Sequence, residues 1–386
     1  MLGATLGTSI GIAALPFYTF GIFMRAIEAD AHWKRSEIAL AQTCWSIVLA
    51  LVSPFVGGLI DRLGFRGPIA FSLTAIACCF LLLGSVIHTP TLFVLIYALM
   101  AAVGAASSPL PFAKLISGKF QRARGMALGI TLAGTGIGAL LASLLLGPAI
   151  QKGGWRAGYL WLALAIAILA PVSLRLIGRD KVASVEQHGR VETGLSFVKA
   201  IQTAAFWQLA GIFFLVTYGA SGLVAHLVPI LTEAGIAPSK AAAIVGIVGM
   251  SVMAGRLAIG TLLDVFQVRY VAGIAFILTS TGCYLLLQLG AHFAWTAAIG
   301  VGFALGTEVD LMGYCTGRYF GLRRYGSIYG TLYGFAILGV AASPLWMAVV
   351  SESYGYRPVL QVAVAITMAS AALSFILPRI NRRNGQ

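Results

Sequence analysis

The sequence predicts an all-α integral membrane protein whose 12 transmembrane helices form two pseudo-symmetric six-helix bundles, a 6+6 parallel repeat. Three observations carry this expectation. Of 386 residues, 59% are hydrophobic and only 10% are charged, where a soluble domain carries about 25% charged. So few ionisable side chains cannot cover a water-exposed surface of this size, which excludes an ordinary soluble enzyme and a disordered chain. The charges also fall between apolar stretches long enough to cross a bilayer core, which takes about 20 residues of helix. Finally, the two halves carry the same short patterns at an offset near 200 residues.

The spans read off in order. Residues 1–24 make the first and 38–60 the second. The stretch 67–113 has no charge and must fold back on itself at His88-Thr89-Pro90-Thr91, giving the third and fourth. Residues 125–151 and 157–174 make the fifth and sixth, 200–232 the seventh, and 239–263 the eighth, interrupted by one charge, Arg256. The stretch 270–307 holds the ninth and the start of the tenth, with a turn near Gly290-Ala291-His292. Residues 325–351 and 358–378 complete the set. This divides the chain into an N-terminal bundle (1–177), a polar linker (178–199) and a C-terminal bundle (200–386). No basic segment precedes the first span, so no secretory signal is read there.

Lys and Arg orient the spans. Eighteen lie in one set of loops, from Arg62 and Arg66 through the linker to Arg379, Arg382 and Arg383; six lie opposite, namely Lys34, Arg35, Lys152, Arg156, Lys240 and Arg357. The positive-inside rule then places both termini in the cytoplasm of a plasma membrane, with a bacterial inner membrane as the expected setting. Trp33, Trp155 and Trp295 mark the other face. The net charge of +14 comes in runs no longer than two, which argues against nucleic acid. Cys44, Cys78, Cys79, Cys283 and Cys315 all lie in apolar stretches and read as small core residues. No cofactor or metal site is implied.

The repeat is visible at three places. Gly57-x-x-x-Asp61-x-x-x-x-Arg66 matches Gly260-x-x-x-Asp264-x-x-x-x-Arg269. Gly118-Lys119-Phe120 matches Gly317-Arg318-Tyr319, and Gly154-Trp155-Arg156 matches Gly355-Tyr356-Arg357. Each pair falls at the same place in its half. A parallel repeat of six spans is a plan of alternating-access transporters.

Over essentially its whole length the chain resembles the major facilitator superfamily. The carrier of this resemblance is the loop Gly57-Gly58-Leu59-Ile60-Asp61-Arg62-Leu63-Gly64-Phe65-Arg66. Three segments are similar to the bacterial monocarboxylate-porter-like branch: Trp33-Lys34-Arg35-Ser36-Glu37, Arg124-Gly125-Met126-Ala127-Leu128-Gly129-Ile130, and Glu308-x-Asp310 followed by Arg318-Tyr319-Phe320-Gly321, Tyr325-Gly326 and Tyr329-Gly330. The resemblance implies that Arg256, in the eighth span, binds a substrate carboxylate. It also implies that loop contacts of Asp61 and Asp264 hold an outward-open state. Two positions depart from the pattern. Animal members carry Asp one turn before the Arg, where this chain has Val252, and Lys after a Pro in the first span, where Phe17 follows Pro16.

The residues themselves support a site. Arg256 lies eight residues, about 12 Å, from Asp264, well inside the membrane. An Arg there costs about 2.5–3.5 kcal/mol on insertion scales. Its guanidinium fork suits a carboxylate held by two hydrogen bonds; a structural ion pair with Glu308 or Asp310 is the competing reading. Those two acids lie deep in the tenth span, where a carboxyl group taken out of water is a candidate proton carrier. His226 is a candidate relay or a hydrogen-bonded packing residue. Tyr18, Tyr329 and Tyr333 are candidates for aromatic cavity walls with hydroxyl donors. Asp61 and Asp264 can cap a neighbouring helix N-terminus or pair with Arg62, Arg66 and Arg269 as gating elements. Arg25, closing the first span, is a candidate gate, and Lys114 is expected to snorkel. Gly125, Gly129, Gly134 and Gly138 form two small-xxx-small pairs that permit close helix approach.

Three functions compete. The first is a secondary transporter for a small organic anion, expected to be a monocarboxylate, driven by proton symport or anion exchange and working as a monomer in the lipid bilayer. The alternative is efflux or uptake of a drug-like or neutral metabolite; Gly147-Pro148 partly matches a drug-antiporter motif, but Gln151 and Lys152 stand where it needs glycines. The third, a membrane enzyme or sensor, lacks a phosphate-binding loop and a metal cluster.

Overall fold

The computed structural model describes residues 1–120, 123–178 and 194–380. Most of the expected linker and the basic residues Arg122, Arg179, Lys181, Arg190, Arg382 and Arg383 lie outside the described residues. The described chain is all-helical. The helices are α1 (Leu2–Ser9), α2 (Leu15–Ala31), α3 (Arg35–Leu63), α4 (Arg66–Ser85), α5 (Pro90–Gly104), α6 (Pro109–Lys119), α7 (Arg124–Leu132) and α8 (Gly134–Ile177). After the short α9 (Phe197–Ile201) come α10 (Ala204–Glu233), α11 (Pro238–Val265), α12 (Val268–Leu289), α13 (Ala294–Cys315), α14 (Tyr325–Tyr354) and α15 (Tyr356–Phe375). Among the described residues, nine helical runs are long and apolar enough to cross a membrane. One of them, Arg124–Ile177, holds two passes joined at Gly154. With the broken first span and α13, which carries Glu308 and Asp310, this makes the twelve transmembrane helices of a two-domain fold.

Helices are the dictated choice, because a bilayer core offers no water to backbone N–H and C=O groups. Where the chain departs from a helix, specific groups fill the gap. The first span was expected as one helix over 1–24. It is broken at Ile10–Ala14 and continues to Ala31. The physical reason is Pro16, which has no N–H and whose ring clashes with the carbonyl of a preceding helical turn, together with Gly11. The Ile12 N–H left over by the break is donated to Ser107 Oγ at 3.0 Å. Ser107 ends a 3₁₀ turn, Ala105–Ser107, that interrupts the fourth span between α5 and α6. The two breaks face each other so closely that a Cβ on Gly11 would strike the Ser107 carbonyl.

The chain forms two compact units. The first comprises Met1–Lys119, Ile130–Gly194 and Leu322–Thr331. Its aromatic centre is Tyr159, stacked on Phe23 with centroids 3.7 Å apart and hydrogen-bonded to Tyr97 Oη at 3.0 Å. Near one end, Trp155 donates to Asp30 at 2.9 Å, and Arg156 donates to the Ile87 carbonyl at 2.7 Å. On α8, a Cβ at Gly134 or Gly138 would collide with the carbonyls of Thr5 and Ser9 on α1, so this glycine pair brings two backbones together.

The second unit comprises Phe120–Gly129, Leu195–Gly321 and Leu332–Gln386. Its core is aliphatic, built from residues such as Leu223, Leu227, Leu286, Val301 and Leu360. Hydroxyls bind helix to helix: Thr217 donates to the Ala336 carbonyl at 2.7 Å, and Thr279 to that of Gly300 at 2.8 Å. The outer faces of both units remain apolar, as at Phe55, Leu145 and Met250. Lipid tails are as apolar as these side chains, so close packing and hydrogen bonds, more than hydrophobic burial, hold such helices together.

Candidate functional site

The second unit holds a buried charge cluster. Arg256 stands on α11, nine residues before its end; Glu308 and Asp310 stand on α13. Arg256 is 4% exposed, Glu308 8% and Asp310 0%. Arg256 Nη1 lies 3.7 Å from Asp310 Oδ1. That is an ion pair but not a hydrogen bond, which needs about 2.7–3.2 Å. Arg256 Nε and Nη1, both Asp310 carboxylate oxygens and Glu308 Oε2 are buried without a hydrogen-bond partner. An unmet buried polar group costs about 1–3 kcal/mol. Five of them in one cluster leave hydrogen-bonding positions open to a guest.

Glycines let α11 and α13 meet this closely. A Cβ at Gly306 would strike the Val252 carbonyl, and one at Gly302 would come 2.7 Å from Ser251 Cβ. Of the two acids, the ion pair selects Asp310, which comes from another helix instead of from position 252.

His226, on α10, is hydrogen-bonded at both ring nitrogens. Nε2 lies 3.0 Å from the Pro344 carbonyl, which can only accept, so Nε2 carries the proton and Nδ1 faces Tyr356 Oη at 3.4 Å. Tyr333 is buried in the same unit. Tyr329 lies in the first unit, fully buried and stacked on Tyr325. Tyr18, also in the first unit, is 38% exposed and packs edge-on against Phe17.

Asp61 and Asp264, expected in loops, stand instead in the last turns of α3 and α11, and each caps another helix. In the first unit, Asp61 accepts from the backbone N–H groups of Gly326 and Ser327, both at 2.8 Å, from Ser327 Oγ at 2.9 Å and from Lys114 Nζ at 2.9 Å. Lys114 was expected to snorkel to water. It points to Asp61 instead, because a fully buried carboxylate needs a counter-charge more than the ammonium needs a few ångströms of reach. In the second unit, Asp264 accepts from the N–H groups of Gly125 at 2.8 Å and Met126 at 3.0 Å. Both arrangements place a carboxylate on the positive end of a helix. Glycines make them possible: Cβ atoms on Gly57 and Gly326 would each meet the other's carbonyl, as would those on Gly125 and Gly260.

The capped residues escaped the sequence reading, although a signal existed. Gly125-x-x-x-Gly129 and Gly326-x-x-x-Gly330 stand 201 residues apart, within the 199–203 offsets of the rest of the repeat. Of the remaining gating candidates, Arg62 is exposed and Arg269 lies over the Tyr270 ring at 4.4 Å. Arg25 was expected to close the first span. It sits on an exposed face of α2, which runs six residues further.

Known proteins share this architecture. The chain superposes on the E. coli fucose:proton symporter FucP with a TM-score of 0.72 at 17% identity, covering 97% of this chain and 96% of that one. It is 23% identical over 387 residues to the oxalate:formate antiporter of Oxalobacter formigenes, spanning 95% of this chain and 88% of the relative. It is also 23% identical to mouse (Mus musculus) monocarboxylate transporter 12 over 317 residues, 72% of this chain and 64% of the relative. The family model of the Major Facilitator Superfamily matches residues 6–336. With that match spanning most of a twelve-helix chain, the protein belongs to the Major Facilitator Superfamily and is an integral membrane transporter, not an enzyme.

Proposed function

We propose that the protein is a secondary transporter for a small organic anion, a monocarboxylate, driven by proton symport or by exchange against a second anion. The observation that carries this reading is the Arg256–Asp310 pair at 3.7 Å, with Arg256 Nε and Nη1 and both Asp310 carboxylate oxygens unmet. A substrate carboxylate offers Arg256 the two acceptors that its fork is shaped for. Charge arithmetic then couples the step. One cation faces two acids, so adding an anion to the ionised cluster places three negative charges against one positive. A proton taken by Asp310 releases Arg256 to the substrate and removes one of those charges; Glu308 is the second candidate carrier. His226, with both ring nitrogens engaged, is assigned to packing in this reading.

Residues 1–177 and 200–386 act as the two bundles, with 178–199 as tether, both termini in the cytoplasm and a monomer as the working unit. Asp61 and Asp264 serve as gating caps. The names of two relatives, an oxalate:formate antiporter and a monocarboxylate transporter, support the substrate class. A second reading, transport of an apolar drug-like solute, is favoured by a cavity of about 560 Å³ in the first unit, lined by Leu15, Leu141, Leu145, Leu146 and Trp161 with Lys152 at its edge.

The test is uptake of labelled mono- and dicarboxylates into proteoliposomes, with and without an inward proton gradient. Gradient-driven uptake of one acid, lost in Arg256→Ala, supports symport. Uptake only against internal anion supports exchange. No acid uptake by folded protein, with uptake or efflux of an apolar solute insensitive to Arg256→Ala, moves the reading to the second.

A further inference from the structure

The carbonyl of the proposed anion-binding residue is covered by a glycine of a different helix. A Cβ built on Gly129 of α7 would stand 2.6 Å from the Arg256 carbonyl oxygen, a backbone atom that cannot swing away. One turn along α7, Gly125 approaches Gly260 equally closely, and the Gly125 and Met126 N–H groups end on the Asp264 carboxylate. Arg256, Gly260 and Asp264 are spaced four residues apart, so they form one stripe of α11. One turn before Arg256, the Val252 carbonyl is covered in the same manner by Gly306 of α13. The stretch of α11 that carries the guanidinium is therefore held by backbone contacts on successive turns, from α13 and from α7, with no side chain between to absorb a shift. Close-packed contacts of this kind transmit displacement instead of damping it.

We propose that Gly129 is a positioning residue for Arg256: by holding the Arg256 carbonyl against α7, it makes the anion site and the Asp264 cap move as one body. This rests on Arg256 as the anion-binding residue, and it adds a consequence for the gate. An anion that shifts Arg256 changes the protection of the capped amides, and by reciprocity the cap changes anion affinity.

The experiment is hydrogen exchange over residues 125–129 in the purified full-length protein, with and without the acid that it transports. In wild type the acid is expected to change exchange at the Gly125 and Met126 amides at least threefold. In Gly129→Ala that response is lost and basal exchange rises about tenfold, matching Asp264→Ala. The double variant Gly129→Ala/Asp264→Ala is no worse than either single one, because both open the same contact. Gly249→Ala, also on α11 but with open space around its Cβ, behaves as wild type. Gly260→Ala opens the contact from the other side and replaces Gly129→Ala should that variant not fold. Additive effects in the double variant overturn the proposal. So does an acid that binds wild type without altering these amides. Non-additive effects in a protein that binds no carboxylate uphold the mechanical link and sink the anion reading instead.

Discussion

Among the described residues, Arg256 and Asp310 are each other's only counter-charge at ion-pair distance, so losing either one strands the other. Removing one partner of a buried pair strands the other and costs about 3–5 kcal/mol. Arg256→Ala should lower thermal stability by that order, and Arg256→Ala/Asp310→Asn should recover most of it. The two caps differ. The Asp61 side chain is fully buried, accepts four hydrogen bonds and pairs with Lys114, whose side chain is 16% exposed. Asp264 caps one helix with two bonds. Asp61→Ala should therefore cost about 3–5 kcal/mol as a broken buried pair, against about 0.5–2 for Asp264→Ala as a lost cap. A thermal-shift series on the purified variants checks the ranking, and equal costs would refute it. The sequence located these residues but not their partners. Lys114 and Asp61 are 53 residues apart, and no local pattern links them. Glu308 and Asp310 were equally eligible for Arg256 until helix packing selected one.

Turns and breaks decide the elements. Gly154 and Gly355 join the fifth span to the sixth and the eleventh to the twelfth, with φ of +72° and +73°. Both have ψ near 180°, a region open essentially to glycine alone, where another residue costs about 1–3 kcal/mol. Gly154→Ala and Gly355→Ala should each lower stability by that amount. The sequence showed this pair as one of its three repeats, and here the structural reason for the repeat is a shared backbone conformation. The break at Ile10–Ala14 was not legible. Proline and glycine weaken a helix but do not say where it stops, and the decisive group, Ser107, comes from another span. Ser107→Ala should leave the Ile12 N–H without its partner and cost about 1–3 kcal/mol, again read by thermal shift.

For the whole molecule, composition and spacing were enough to expose twelve spans and a duplicated plan, because a bilayer forces every segment into helix and confines charge to the ends. The eighteen-to-six distribution of basic residues predicts that a cysteine placed at Lys152 is labelled from outside the cell and one at Arg379 only after permeabilisation; the reverse pattern would invert the topology. What composition could not deliver is the proposed chemistry of transport, which rests on three side chains from two helices. Equilibrium binding of the transported acid to purified wild type, Arg256→Gln and Asp310→Asn, across a range of pH, tests that chemistry most directly. Wild type should bind more tightly as pH falls. Arg256→Gln should lose about 100-fold in affinity, equivalent to about 2.7 kcal/mol. Asp310→Asn, which mimics the protonated acid, should bind tightly with little dependence on pH. Arg256→Gln binding the acid as well as wild type does, with the same pH profile, would rule out Arg256 as the anion-binding residue.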